Sequence, residues 1–223
     1  MRLHASSIWF TDHAPFPDDR FTGRMRFCQL DEYVASINAL RIKYADIINV
    51  HCGLEIEYLP SYEKQGYYSF LEAMPGLELL VLGQHMAEDK QGSYTFQWDS
   101  KRKNAEEHKL LAESMQEGML TGHFNVCAHP DRIFRRCKKW DEEMENLSSE
   151  VCSTALSSGT LLEINMSSLE RKQHYWKEFW QIAQKTGNKK IVGLDAHSPQ
   201  ELIDRHLKQK EYREKALTFQ SVP

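Results

Sequence analysis

The 223-residue sequence has no apolar run near the roughly 18 residues that a membrane-spanning helix needs, and no charged-then-apolar signal pattern at its start. It also has no excess of basic residues, because 28 Lys and Arg stand against 32 Asp and Glu. Non-specific binding to nucleic acid needs a positive field that displaces counterions. We therefore expect a small-molecule substrate, no nucleic-acid partner and no membrane association.

Paired cysteines are also lacking. The chain has five cysteines, an odd number, and their spacing does not match that of a metal-binding cysteine motif. Several of them lie in apolar, strand-like runs, where a reduced thiol packs as a small hydrophobic group. Together with the missing signal pattern, this predicts a cytoplasmic protein.

The chain has the composition of an ordinary globular protein, with 41% hydrophobic and 27% charged residues. Along the chain, short apolar segments alternate with longer amphipathic segments. That alternation is typical of parallel strands joined by crossover helices, so we expect an α/β fold of the parallel barrel type and one domain over residues 1–223. The predicted strands are Ser7–Phe10, Ile47–Glu55, Leu79–Gly83, Phe124–Ala128, Leu161–Asn165 and Ile191–Leu194. The predicted helices are Gln29–Tyr44, Tyr62–Met74, Asn104–Glu117, Asp141–Ser157, His174–Thr186 and Pro199–Ala216, and Ala87–Lys103 is predicted to be an exposed loop.

Side chains that commonly bind metals stand at the end of nearly every predicted strand. In a parallel barrel the carboxyl ends of all strands meet at one face, so these residues are expected to converge there. Histidine with carboxylate suits zinc, iron or manganese. The predicted metal ligands are His13, Glu55, His85, His129, Asp195 and His197.

Each of these residues also has an ordinary structural explanation. A single buried histidine is more often a hydrogen-bonded core residue than a ligand, but chance placement of six such residues at successive strand ends is improbable. Two neighbouring features stay open. Glu57 either orients a ligand, faces the substrate or has no role, and Glu163 with Asn165 could simply close the barrel mouth by hydrogen bonding.

In order and spacing, these motifs resemble the PHP family of metal-dependent phosphoesterases, and within it the histidinol-phosphate phosphatase branch. The matching segments are FTDHAP from Phe10, GLE ending at Glu55, the glycine-led His85, AHPD from Ala128, LEIN ending at Asn165 and GLDAHSP from Gly193. The resemblance covers essentially the whole chain. It implies a distorted seven-stranded barrel, a cluster of three divalent ions (Zn, Mn or Fe) and L-histidinol phosphate as the substrate.

The resemblance also implies individual roles. Glu55 would bridge two ions, with His85 and His129 completing the ligands of the second ion. His13 and His197 would bind the third ion and Asp195 the first. Asp12 would orient a neighbouring ligand.

One motif of the family has no counterpart here, because the family opens with an HxH strand and His4 belongs to no such pair. We therefore expect a PHP domain that is incomplete at its N-terminus, with fewer ions than the family. A barrel lacking a strand exposes unpaired edges, so self-association through those edges is also expected.

Hydrolysis of a phosphate ester further needs cations for the phosphate oxygens and an acid for the leaving alcohol. Arg132 and Arg171 are the predicted phosphate-binding residues. Glu55, Asp195 and His197 are predicted to act in catalysis, with His197 as the candidate acid. Two alternatives remain open: a PHP phosphoesterase that acts on another phosphorylated substrate or a nucleic-acid end, and a catalytically impaired metal-binding scaffold.

Overall fold

The structure is a computed structural model that describes residues 5–170 and 174–218. Its centre is one sheet of six parallel strands whose spatial order follows the sequence, β1-β2-β3-β4-β5-β6. The strands are β1 (Ser7–His13), β2 (Asn49–Ile56), β3 (Leu79–Leu82), β4 (Val126–Cys127), β5 (Leu161–Asn165) and β6 (Lys190–Gly193). The predicted β/α alternation is therefore confirmed.

Helices connect the strands. They are α1 (Leu30–Lys43), α2 (Pro60–Glu63), α3 (Tyr67–Glu72), α4 (Ser100–Thr121), α5 (Glu142–Ser158), α6 (Met166–Glu170), α7 (Lys177–Thr186) and α8 (Pro199–Thr218). Short 3-10 turns cover Phe27–Gln29, Thr95–Gln97 and Pro130–Phe134. None of the helices within the described ranges is long and apolar enough to cross a membrane.

Two of the predicted elements were wrong. The helix predicted over Tyr62–Met74 is divided into α2 and α3 at Gly66, whose φ of +72° interrupts the helical backbone. The segment predicted as an exposed loop, Ala87–Lys103, is in fact anchored in the protein. Tyr94 and Trp98 in it are buried, and its last residues belong to α4. Polar composition suggested exposure, but it is the aromatic side chains that decide where this loop packs.

The two faces of the sheet have different neighbours. On β2, alternate residues such as Cys52, Leu54 and Ile56 are fully buried in clusters that include the surrounding helices. On the inner face Val81, Val126 and Ala128 form a separate apolar cluster. Because side chains alternate along a strand, Glu55 points to the face opposite Leu54 and Ile56. The inner face is thus apolar in its middle and carries charged groups toward its carboxyl end.

Among the described residues the sheet is open, with β1 and β6 as its edges. It is nevertheless strongly curled, since His13 at the end of β1 and Asp195 just after β6 line the same cavity. An α/β fold of the curled parallel barrel type, as predicted, brings the first and the last strand to one site.

The cysteines provide a test of the core. None of the five, all within the described ranges, is paired, and Cys28 is exposed whereas Cys52, Cys127 and Cys152 are buried. Burial raises the pKa of Cys52 to about 11 and that of Cys152 to about 12, and it raises the pKa of Cys127 well above its usual range. The thiolate is the reactive form of cysteine. We therefore expect a thiol reagent to modify the exposed Cys28 rapidly in the folded protein and the buried cysteines slowly. Cys28→Ser should abolish this rapid phase, and its persistence in that variant would contradict the described packing.

Candidate metal centre

A cavity of about 200 Å³ lies at the carboxyl end of the sheet. All six predicted metal ligands line this cavity: His13, Glu55, His85, His129, Asp195 and His197. The predicted phosphate-binding residue Arg132 lines it as well. So does Ser167, which the sequence analysis did not predict. Arg171 lies outside the described residues. Convergence of side chains from across the sheet is what the parallel topology predicted.

His13, Glu55 and His85 form a compact group in this cavity. His13 and Glu55 are partners in the β1–β2 register, so they lie side by side on the inner face. The ligand atoms of these three residues all lie within 4.8 Å of one another. Two imidazole nitrogens and a carboxylate oxygen at this separation fit a divalent transition metal such as zinc.

Glu55 also links this group to His129. Its Oε1 lies 3.0 Å from His129 Nε2 and 3.4 Å from His85 Nε2. A carboxylate oxygen in contact with two imidazoles is suitably placed to bridge two ions. Gly83 makes room for it, because a Cβ on Gly83 would lie only 2.0 Å from Glu55 Oε1.

Glu163 repeats this arrangement on β5. Its Oε2 accepts hydrogen bonds from the His129 amide at 3.1 Å and from Asn165 Nδ2 at 3.2 Å. A Cβ on the neighbouring Gly193 would lie 1.5 Å from Glu163 Oε1. Glu163 and Asn165 thus make the hydrogen bonds expected of residues that close the barrel mouth, and Glu163 in addition holds the backbone of His129.

Asp195 and His197 form a second pair on the other side of the cavity. Asp195 Oδ1 lies 3.1 Å from His197 Nε2, and the His197 side chain is 65% exposed. Arg205 of α8 donates to the carbonyls of Leu194, at 3.1 Å, and Asp195, and so holds this loop. His197 is therefore the most accessible of the predicted ligands for a substrate that enters from solvent.

Backbone strain marks two of the predicted ligands. His129 has a φ of +33° and Asp195 a φ of +47°, in the left-handed region that residues other than glycine rarely adopt. Such conformations cost about 1–3 kcal/mol each and cluster at functional sites. In the described part of the chain, Asp19 is the only other non-glycine residue with a positive φ.

The electrostatics of the site agree with this geometry. Burial opposes ionisation of Glu55, but the hydrogen bond from His129 and the nearby imidazoles outweigh it, so the pKa of Glu55 lies below its usual range. Burial disfavours the charged form of His129 as well, yet Glu55 raises the pKa of His129 overall. Burial dominates at Glu163 and raises its pKa to about 7. Glu55 and His129 therefore favour each other's charged forms, and a divalent cation could take the place of the proton between them.

Glu57, whose role the sequence left open, contacts both a predicted ligand and an arginine. Its Oε1 lies 3.2 Å from His85 Nδ1, and Arg24 binds both of its oxygens at 2.9 and 3.0 Å. Asp12 instead interacts with Tyr33, whose hydroxyl accepts a hydrogen bond from the Asp12 amide at 3.3 Å. The contact that orients a predicted ligand is thus made by Glu57.

Sequence reasoning missed the arginines behind the site. Besides Arg24 and Arg205, Arg135 donates to the His85 carbonyl at 3.2 Å and to the buried Glu107 at 3.0 Å. Each of these arginines lies several residues from the motif it supports. Nothing in their local sequence distinguishes them from surface arginines.

The fold and the donor set together define a metal-binding β/α protein. The model of the PHP domain family matches residues 1–167, and the chain belongs to this family. The matched residues include all the predicted metal ligands except Asp195 and His197.

Similar proteins agree with this assignment. Over 75 residues the chain is 37% identical to "Probable histidinol-phosphatase" of Deinococcus radiodurans, a stretch that covers 32% of this chain and 26% of that protein. The crystal structure of the "putative histidinol phosphatase hisK" from Listeria monocytogenes aligns with a TM-score of 0.70 and 19% identity over 90% of this chain and 87% of that one. Histidinol phosphate phosphatase from Lactococcus lactis, in complex with zinc, L-histidinol and phosphate, aligns with a TM-score of 0.67 and 17% identity over 95% of this chain and 82% of that one. At these identities, the two structures show a shared fold.

Proposed function

We propose that the chain hydrolyses a phosphate monoester with the help of divalent metal ions, and that its substrate is L-histidinol phosphate. The observation that carries this proposal is the placement of the His13, Glu55 and His85 ligand atoms within 4.8 Å of one another in a cavity at the carboxyl end of the sheet. The Lactococcus relative, solved with zinc, L-histidinol and phosphate, supports the choice of substrate.

When bound, divalent ions would lower the pKa of water and neutralise the charge of the phosphate oxygens. His13, Glu55, His85 and His129 would hold them at the strand ends. Which ion each residue binds stays a prediction.

The rest of the cavity supplies groups for the substrate. Arg132 and the hydroxyl of Ser167 line it and can bind phosphate oxygens. His197, whose side chain is exposed and whose Nε2 lies 3.1 Å from Asp195 Oδ1, is suitably placed to donate a proton to the leaving alcohol.

Phosphate release from a substrate panel tests this proposal. The zinc- or manganese-loaded protein is expected to release phosphate from L-histidinol phosphate faster than from other monoesters, and not to degrade single-stranded DNA. Equal rates across the monoesters would contradict the proposed substrate, and release from none of them would favour the metal-binding scaffold.

We also propose that copies of the chain associate through the edges of the sheet. Among the described residues, β1 and β6 each pair with one strand, and Trp9 on β1 is 45% exposed. Exposed edge strands tend to pair with other chains. Sedimentation is expected to show a dimer, and a monomer at high protein concentration would contradict it.

A cytoplasmic location stays a prediction from the cysteine pattern.

A further inference from the structure

Behind the candidate metal centre lies an arginine, with a largely buried side chain, that contacts the ends of two strands directly and the loop after a third strand through a glutamate. Arg24, in the loop between β1 and α1, donates to both oxygens of Glu57, at 2.9 and 3.0 Å, and to the carbonyl of Ala14, at 3.0 Å. Glu57 in turn lies 3.2 Å from His85 Nδ1. One guanidinium therefore ties the end of β1 to the end of β2 and, through Glu57, to the loop after β3.

The pair is shielded from water. The Arg24 side chain is 9% exposed and that of Glu57 2%. The guanidinium also lies over the rings of Phe16 and Phe21, at 5.2 and 5.7 Å from their centroids. A bidentate arginine–carboxylate pair in such surroundings has a fixed geometry, and removal of one partner leaves the other charge buried and uncompensated.

Each group held by this pair is next to one of the three clustered ligands. Ala14 follows His13, and Glu57 follows the end of β2, two residues beyond Glu55. His85 is in direct contact with Glu57. With its Nδ1 proton donated to Glu57, His85 presents the lone pair of Nε2 toward Glu55. We propose that Arg24 is a positioning residue that, through Glu57, aligns His13, Glu55 and His85 for metal binding. This inference rests on the proposed function only in taking these three residues as metal ligands.

A purely structural ion pair would have different consequences. If Arg24 only tied its loop to the sheet, its loss would lower the thermal stability and leave the metal affinity of the folded protein unchanged. If it positions the ligands, the affinity of the folded protein for zinc must fall as well. Partners that orient metal ligands typically contribute about 10–100-fold in affinity.

Arg41 offers a matched control at the opposite end of β2. It donates to the Val50 carbonyl at 2.8 Å and pairs with Glu78, so it too joins a strand carbonyl to a carboxylate. It lies outside the cavity. Arg41→Gln therefore removes a hydrogen bond to a strand carbonyl and an ion pair, at a more exposed position, without touching the ligands.

The experiment measures zinc affinity by competition with a chromogenic chelator, well below the melting temperature of each variant. Arg24→Gln is expected to weaken zinc binding about 10–100-fold, and Arg41→Gln to leave it unchanged. Arg24→Lys keeps the charge but not the bidentate geometry, so it should give an intermediate loss and replaces Arg24→Gln if that variant does not fold.

Unchanged affinity in the Arg24 variants, or an equal loss in Arg41→Gln, would overturn the positioning role while the proposed function stands. If the wild-type protein binds no zinc, the proposed function itself fails and this inference fails with it.

Discussion

Replacement of His129 by alanine should abolish metal-dependent phosphatase activity, with a loss larger than the roughly 100-fold that removal of an orienting partner costs. His129 Nε2 lies 3.0 Å from Glu55 Oε1, and its backbone is held by Glu163. The substitution removes the imidazole nitrogen that lies beside Glu55, the carboxylate placed to bridge two ions. Initial rates of phosphate release, measured with zinc in excess, check this result.

His51 is the matched control for this substitution. It lies on β2 near the end opposite the cavity, and its Nδ1 also lies close to a carboxylate, Glu78, at 2.9 Å. His51→Ala should leave the turnover of the folded protein within a few-fold of that of the wild type. Full turnover in His129→Ala, or an equal loss in both variants, would contradict the assignment of His129.

Gly83→Ala should have the second largest effect, although it adds only one methyl group. The new Cβ would lie 2.0 Å from Glu55 Oε1 and 2.6 Å from its Cδ, so the carboxylate must move. A displacement of about 1 Å in a catalytic group can cost about 100-fold in rate. We expect a loss of turnover of this order together with weaker zinc binding, measured by chelator competition.

Gly122 provides the control for the general cost of replacing a glycine. Its φ is +84°, and a Cβ there would have no neighbour within 4 Å. Gly122→Ala should lower the free energy of unfolding by about 1 kcal/mol because of its backbone conformation and leave zinc affinity unchanged. Wild-type zinc affinity in Gly83→Ala would show that Glu55 does not bind the metal from its present position.

The sequence predicted the site better than it predicted the chain around it. His13, Glu55 and His129 were identifiable because each lies at or just beyond the carboxyl end of a strand. Parallel strands bring these ends together whatever their separation in sequence. The same reasoning placed Asp195 at the cavity. The parallel topology alone was sufficient to predict that these residues meet in one cavity.

The supporting residues could not be predicted in the same way. Arg24 lies ten residues beyond Ala14, to which it donates, and Arg205 ten residues beyond Asp195, so no short motif contains both partners. Their roles depend on tertiary packing, which periodicity does not encode. The break at Gly66 and the burial of Trp98 were missed for a related reason, because a single positive φ or one buried aromatic side chain can override the local pattern.

Crystals of the wild-type protein grown with zinc, with anomalous diffraction recorded at the zinc edge, test the central claim most directly. The account predicts anomalous peaks in the cavity at about 2.0–2.2 Å from a carboxylate oxygen of Glu55 and from ring nitrogens of His13, His85 and His129. Zinc bound elsewhere on the protein, with none within bonding distance of Glu55, would contradict it.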